Sequence, residues 1–377
     1  MLTWFQKLVL FLLGFAWCLL LIAALLGLPV VSVLPGWMIA AILVAGLVLG
    51  LIPFTLWWLI RRNSPTYGAR RSFLAFGLAG MLAATGLAGF PIYYLAYWVD
   101  SGPSHLPLAT LSNGKKTVVF QGMQHVGSED FYKSVVFDLE KALADGYTLF
   151  YEGVQPVPDR PDLTDWFNKT LRGTDKDLSA GYRQLADACS MTFQLTYFEP
   201  LLADKAINPK RHVTADVTYL DMKNEYDRLL KDDPAFVEAL RNANARRSAA
   251  QEENDPFMAA LSYVGQATPE QKALIGIACR GIMSKVMGGE GASDPAEKII
   301  LDFRNRELAR FVDQSEATKI YITYGGKHFR GFVADLKRRD PAWEVQSISW
   351  GRAMSNPRTP APPGWDWRAL IGTSAAP

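Results

Sequence analysis

Three long apolar stretches open the chain. From Leu2 to Leu34 the only charge is Lys7, from Trp37 to Ile60 there is none, and from Ser72 to Trp98 there is again none. Each reaches the roughly 20 residues that a helix needs to cross about 30 Å of hydrocarbon. The pattern predicts a three-helix transmembrane region over residues 1–100. A cleaved signal peptide is disfavoured, because the first stretch far exceeds an h-region of roughly 7 to 15 residues and two more spans follow at once. Beyond residue 105 the pattern becomes that of a soluble domain. Leu108 to Leu111 and Thr117 to Gln121 flank Asn113-Gly114, which predicts a hairpin. A helix is predicted from Ser128, as N-cap with Glu129 and Asp130 in the first turn, to Gly146, with Phe131, Val135, Leu139 and Leu143 along one face. A strand from Tyr147 to Glu152 follows, so strand, helix and strand predict parallel neighbours joined right-handedly.

Residues 156–314 lack long β-branched runs and read as a large helical insertion, with helices expected at 178–188, 221–230, 234–252, 269–287 and 295–313. The α/β pattern then returns as a strand (318–324), a helix (329–338) and a strand (344–349). The proline-rich tail, residues 351–377, reads as disordered. Val118 to His125 and Tyr321 to His328 share one layout: a β-run, a glycine, two residues and a histidine, then a helix and another strand. The expected fold is therefore α/β, a mostly parallel sheet built from two related Gly-x-x-His β-α-β units. It occupies residues 105–350 and is preceded by the three spans.

Charge sets the expected orientation. The link between the second and third spans holds Arg61, Arg62, Arg70 and Arg71, whereas the link around Leu34, Pro35 and Gly36 holds none. Basic loops stay inside, so the N-terminus is expected in the cytoplasm and the C-terminal domain in the periplasm or outside the cell, with Tyr93, Tyr94, Tyr97 and Trp98 in the outer aromatic belt. A net charge of +2 and the lack of a basic stripe argue against nucleic acid. Cys18 lies in the first span. Cys189 and Cys279 either pair in an oxidising compartment or remain buried thiols.

Of four histidines, His125 and His328 fall just beyond the C-terminal ends of predicted strands, where open parallel sheets place ligands. Gly122 and Gly325 are read as φ > 0 residues that turn the chain off the strand. Glu152 ends a third strand, where an unpaired carboxylate would be costly to bury. Two imidazoles and a carboxylate suit a divalent transition metal with positions left for water. Arg304 projects from an apolar stripe marked by Ile300, Leu308 and Phe311, so its head needs an anion. That anion is either a substrate or oxyanion, with Asn305 or Arg306 assisting, or a structural partner. Asp216 is read as a helix cap or as a group near the site. His105 is expected to be a linker residue.

The turn from Gly122 to Ser128, Glu152, the Arg304-Asn305-Arg306 helix and Gly325-Gly326-Lys327-His328 resemble the TraB/PrgY/GumN and Tiki proteins. That clan also includes ChaN-like and erythromycin-esterase-like folds. The resemblance covers about Leu106 to Trp350. It implies a manganese- or cobalt-dependent metallopeptidase, with zinc as a further candidate ion, whose essential residues are His125, Glu152 and His328. Thr214-Ala215-Asp216-Val217 is similar to an internal segment of the family, which implies that Asp216 lies near the site. The three spans make the bilayer one expected partner; the resemblance implies a peptide or protein substrate as the other. The alternative it leaves open is a non-catalytic extracytoplasmic protein that binds a peptide or haem.

Overall fold

The computed structural model describes residues 3–63, 68–102, 105–172, 178–251, 264, 267–288 and 294–356. Most of the proline-rich tail lies outside the described residues. Three helices come first: α1 (Trp4–Ser32), α2 (Gly36–Arg61) and α3 (Ala69–Ser101). Each is long and apolar enough to cross a membrane. Next come β1 (His105–Ser112), β2 (Thr117–Met123), β3 (Val126–Gly127), α4 (Glu129–Ala144) and β4 (Thr148–Tyr151). The middle holds α5 (Pro161–Trp166), α6 (Leu178–Ala188), β5 (Thr192–Phe193), α7 (Leu195–Ile207), β6 (His212–Thr214), α8 (Tyr219–Asp232), α9 (Pro234–Gln251) and α10 (Pro269–Gly288). A π-helical turn (Lys298–Phe303) leads into α11 (Arg304–Gln314), β7 (Lys319–Gly325), α12 (His328–Arg339) and β8 (Glu344–Arg352).

The chain forms two compact units. The first comprises residues 1–102, 188–190 and 255–285. Its helices approach closely because glycines line the contacts: a Cβ on Gly27 of α1 would collide with the Thr85 carbonyl of α3, and one on Gly80 of α3 with the Gly46 carbonyl of α2. Small residues serve this purpose in membranes, where van der Waals packing replaces the hydrophobic effect as the force between helices. Most of α10 belongs to this unit, although its composition suited a helical insertion into the soluble domain. Gln271 donates to the Val33 carbonyl at 2.9 Å. A disulfide joins Cys189 to Cys279, with Cα atoms 5.0 Å apart, and decides between the two readings of these cysteines. The Arg280 guanidinium, beside it, donates to the Cys189 carbonyl at 2.7 Å. Burial lowers the Arg280 pKa to about 10, against a smaller upward pull from Asp100.

The second unit comprises residues 103–187, 191–254 and 286–377 and is built on a six-stranded sheet of order β6-β4-β7-β2-β1-β8. Pairings among β6, β4, β7 and β2 are parallel, while β1 pairs antiparallel with both β2 and β8. Three expectations are corrected here. β2 and β4 are parallel but not neighbours, because β7 lies between them; a short crossover fixes direction, while the adjacent place went to a strand far along the chain. The insertion is also not wholly helical, since β6 is an edge strand of the main sheet. His105 opens β1 opposite Arg352 and is not a linker residue.

Side-chain alternation sorts the strands onto two faces. Val118, Phe120, Ile320, Ile322 and Tyr324 pack with Leu308, Val312, Phe332 and Leu336 of α11 and α12. On the opposite face Tyr321 and Leu149 pack with Phe131, Val135 and Leu139 of α4. The hairpin loop turns at Gly114, whose φ is +79°, and α4 stops before Gly146, whose φ is +87°. Ser128 occupies the N-cap of α4, but its hydroxyl donates to the Ala353 carbonyl instead of accepting from the helix.

Candidate functional site

Parallel strands end at a common edge, and β4, β6 and β7 deliver Glu152, Asp216 and Gly325 there, one or two residues past each strand or at its last position. Arg304, the first residue of α11, meets them. Its Nε donates to Asp216 Oδ1 at 2.9 Å and its Nη2 to Asp216 Oδ2 at 2.5 Å and Glu152 Oε1 at 2.8 Å. Asp216 also accepts from the backbone N–H groups of Gly153, at 2.9 Å, and Val217, at 2.8 Å. It is therefore not the cap of α8; that role falls to Thr218, paired with Asp221 in a capping box. Asp216 is the buried anion that the apolar setting of Arg304 required.

Glu152 Oε2 accepts from the Gly325 N–H at 2.6 Å. Burial alone would raise the carboxyl pKa, but the Arg304 charge and these hydrogen bonds outweigh it and hold Glu152 below its ordinary value. Gly325 and Gly122 do not use positive φ, contrary to the reading of them as left-handed turns. They are glycines for space: a Cβ on Gly325 would stand 3.3 Å from Glu152 Oε2, and one on Gly122 would stand 2.6 Å from Pro107 Cδ.

His328 begins α12 and is buried. Its Nδ1 lies 2.7 Å from Asn305 Oδ1; with the amide in this orientation Nδ1–H donates and Nε2 keeps its lone pair. Nε2 stands 3.8 Å from Glu152 Oε1, too far for a hydrogen bond. Burial, opposed by the Glu152 charge and assisted by Arg304, lowers the His328 pKa to about 4, so the imidazole is neutral at pH 7. Tyr324 lies beside this network, its ring edge-on to His328 at 4.9 Å and under the Arg304 guanidinium at 5.3 Å. Tyr324 directly precedes Gly325, and that adjacency was the available signal for it.

His125 is held separately. Gln194 Nε2 lies 2.9 Å from its Nδ1, and Tyr182 stacks on its ring at 4.3 Å. As drawn, the amide donates to Nδ1, which puts the imidazole proton on Nε2; a metal bond through Nε2 requires the Gln194 amide turned about. Burial lowers the His125 pKa, with Glu152 raising it and Arg304 lowering it, so the histidine feels the same charges as His328. Gln124, beside it, is buried with an amide that makes no hydrogen bond among the described residues.

The structure thus brings Glu152, Asp216, Arg304, Asn305 and His328 into one network. Arg306 is not part of it, since its guanidinium donates to Glu225 at 2.7 Å. Asn305 faces His328, a positioning role that its reading as a substrate contact did not anticipate. His212, the remaining histidine, is bonded to Asp204 and Tyr151. Among the described residues no three His, Cys, Asp or Glu groups are placed to hold a metal ion. The donor chemistry of two of them does suit one, a neutral Nε2 lone pair beside an ionised carboxylate. No family model, no curated protein and no solved structure matches the chain.

Proposed function

We propose that the chain is a membrane-anchored hydrolase of the TraB/GumN and Tiki type, acting on peptide or protein amide bonds with a divalent metal at the Glu152 and His328 end of the sheet. The carrying observation is the unprotonated His328 Nε2 facing ionised Glu152 at 3.8 Å, with neither group bonded to the other. His328 through Nε2 and Glu152 are the pair that would hold Mn²⁺, Co²⁺ or Zn²⁺, with His125 the third donor that the sequence suggests. Such an ion, when bound, supplies a water whose pKa falls toward 7. The chain's own residues prepare the site for this. Asn305 fixes the His328 tautomer, Arg304 keeps Glu152 ionised, and Asp216 fixes Arg304. The two Gly-x-x-His turns are the repeated device that carries a histidine past the sheet edge.

On this reading the domain after residue 105 lies outside the cytoplasm. The four arginines between α2 and α3 support this, as does the Cys189–Cys279 disulfide, since disulfides persist in oxidising compartments.

A second reading, a peptide- or haem-binding protein without turnover, is favoured by one observation: Arg304 is already neutralised by two carboxylates and has no evident charge to spare for a transition state. The test uses purified full-length protein in detergent. Metal content is measured by mass spectrometry and peptide cleavage is followed for wild type, Glu152→Gln and His328→Ala. One ion per chain and cleavage lost in both variants are expected. Peptide binding without cleavage, unaffected by chelator, would give the second reading the advantage.

A further inference from the structure

A cavity of about 240 Å³ lies between α2 and α3, lined by Leu47, Gly50, Leu51, Phe54, Phe73 and Gly77. Its walls are apolar. Gly50 presses against the Phe76 carbonyl and sets the closeness of the two helices at that level. Gly77 creates the space: a Cβ there would touch only the end of the Leu47 side chain, at 3.4 Å. Leu51 and Phe73 are both exposed and form the rim.

Charge is concentrated at one end of this groove. Arg61 and Arg62 follow Phe54 by seven and eight residues on α2, about 10–12 Å along the axis at ~1.5 Å per residue. Arg70 and Arg71 precede Phe73 by three and two residues on α3. All four are exposed, and no ion pair with a carboxylate is found for any of them among the described residues. Arg61 and Arg62 lie over the Trp57 and Trp58 rings at 5.1 and 5.7 Å, which anchors two guanidinium groups where tryptophans favour the membrane–water boundary. Neither α2 nor α3 carries an acidic residue before Asp100.

We propose that this is a binding site for one anionic phospholipid, with an acyl chain in the groove and the phosphate on the arginines. An apolar slot capped by four unpaired cations is complementary to a lipid with a negative head; a zwitterionic lipid carries its own cation to the same place and loses most of the attraction. The inference does not depend on the hydrolase reading, because every residue it uses belongs to the membrane helices.

The experiment is native mass spectrometry of the full chain in detergent, titrated with phosphatidylglycerol and with phosphatidylcholine of the same chain length. Phosphatidylglycerol is expected to bind at least tenfold more tightly, and each Arg→Gln change at 61, 62, 70 or 71 to weaken it about fivefold, as a basic residue near a lipid surface does. Gly77→Leu, which fills the groove, should abolish retention of either lipid. Leu51→Trp fills it from the exposed rim and covers the case in which Gly77→Leu fails to fold. Glycerol phosphate alone should neither bind nor compete. Equal affinity for the two lipids, undiminished binding in both groove-filling variants, or binding of glycerol phosphate without a tail overturns the proposal. A dimer that phosphatidylglycerol cannot dissociate overturns it in favour of a second copy of the chain.

Discussion

Replacing Arg304 with methionine isolates the interaction on which the rest of the site leans. The side chains of Arg304, Asp216 and Glu152 are 6%, 0% and 22% exposed, so the substitution leaves two carboxylates at the sheet edge with no counterion and little water. Breaking a buried pair by removing one partner costs about 3–5 kcal/mol, because the surviving charge remains desolvated. Three backbone donors partly compensate, since Gly153, Val217 and Gly325 still serve the two acids. The lower half of that range is therefore expected. For a unit of this size each kcal/mol is worth roughly 2–4 °C, so the melting temperature should fall by on the order of 10 °C. Intrinsic-fluorescence melting of the full chain in detergent reads this. The deficit should also shrink as pH falls toward 4, because protonating Glu152 then removes one of the two unpaired charges. A double-mutant cycle with Asp216→Asn should return a large coupling, since the two side chains share two hydrogen bonds. A variant that melts within about 2 °C of wild type at pH 7 would refute the assignment of Arg304 as the organising cation.

The lowered pKa of His328 gives a signed pH dependence. Its folded pKa is about 4 against an ordinary 6.5, so below pH 6.5 the unfolded chain takes up a proton that the folded one refuses. Stability is full above pH 6.5 and falls as pH drops toward 4, by about 3 kcal/mol at most. His328→Gln should flatten that window in denaturation curves; an unchanged slope would count against a neutral buried imidazole. The disulfide predicts that in unreduced, denatured protein a maleimide labels Cys18 alone, and that Cys189→Ser/Cys279→Ser lowers stability by about 2–5 kcal/mol. Labelling of all three thiols would remove the bond.

What the sequence could reveal about this site follows from which interactions are local. Strand ends at Glu152 and Gly325 were legible because apolar runs stop there, and most helices were legible because their periodicity repeats over several turns; α5 and α7 were not read. β6 was not: three residues, His212–Thr214, are too few to display alternation, and they sit inside a run of helices. That one omission hid the partner of Arg304. The guanidinium's need for an anion could be read from its place in an apolar stripe, but the anion follows β6, and only pairing with β4 brings it to the edge. The same reasoning applies to the glycines. Glycine at 122 and 325 was a visible requirement, yet its cause is the Pro107 ring and the Glu152 carboxylate, both distant along the chain.

The placement of β7 between β4 and β2 is what joins the two halves of the site. β7 carries Gly325 and leads to His328, and its neighbours carry Glu152 on one side and the His125 turn on the other. In this order Glu152 accepts from a backbone N–H on the strand beside it and stands next to the histidine that starts the following helix. Had β2 taken the place beside β4, as the short crossover suggested, and β7 the place beyond it, His328 would have been separated from Glu152 by a full strand, roughly 4.8 Å further away. A carboxylate held by one neighbour and facing an imidazole from the same neighbour is thus a consequence of strand order. The insertion between β4 and β7 contributes as well, because it returns Asp216 and then Arg304 to that same edge.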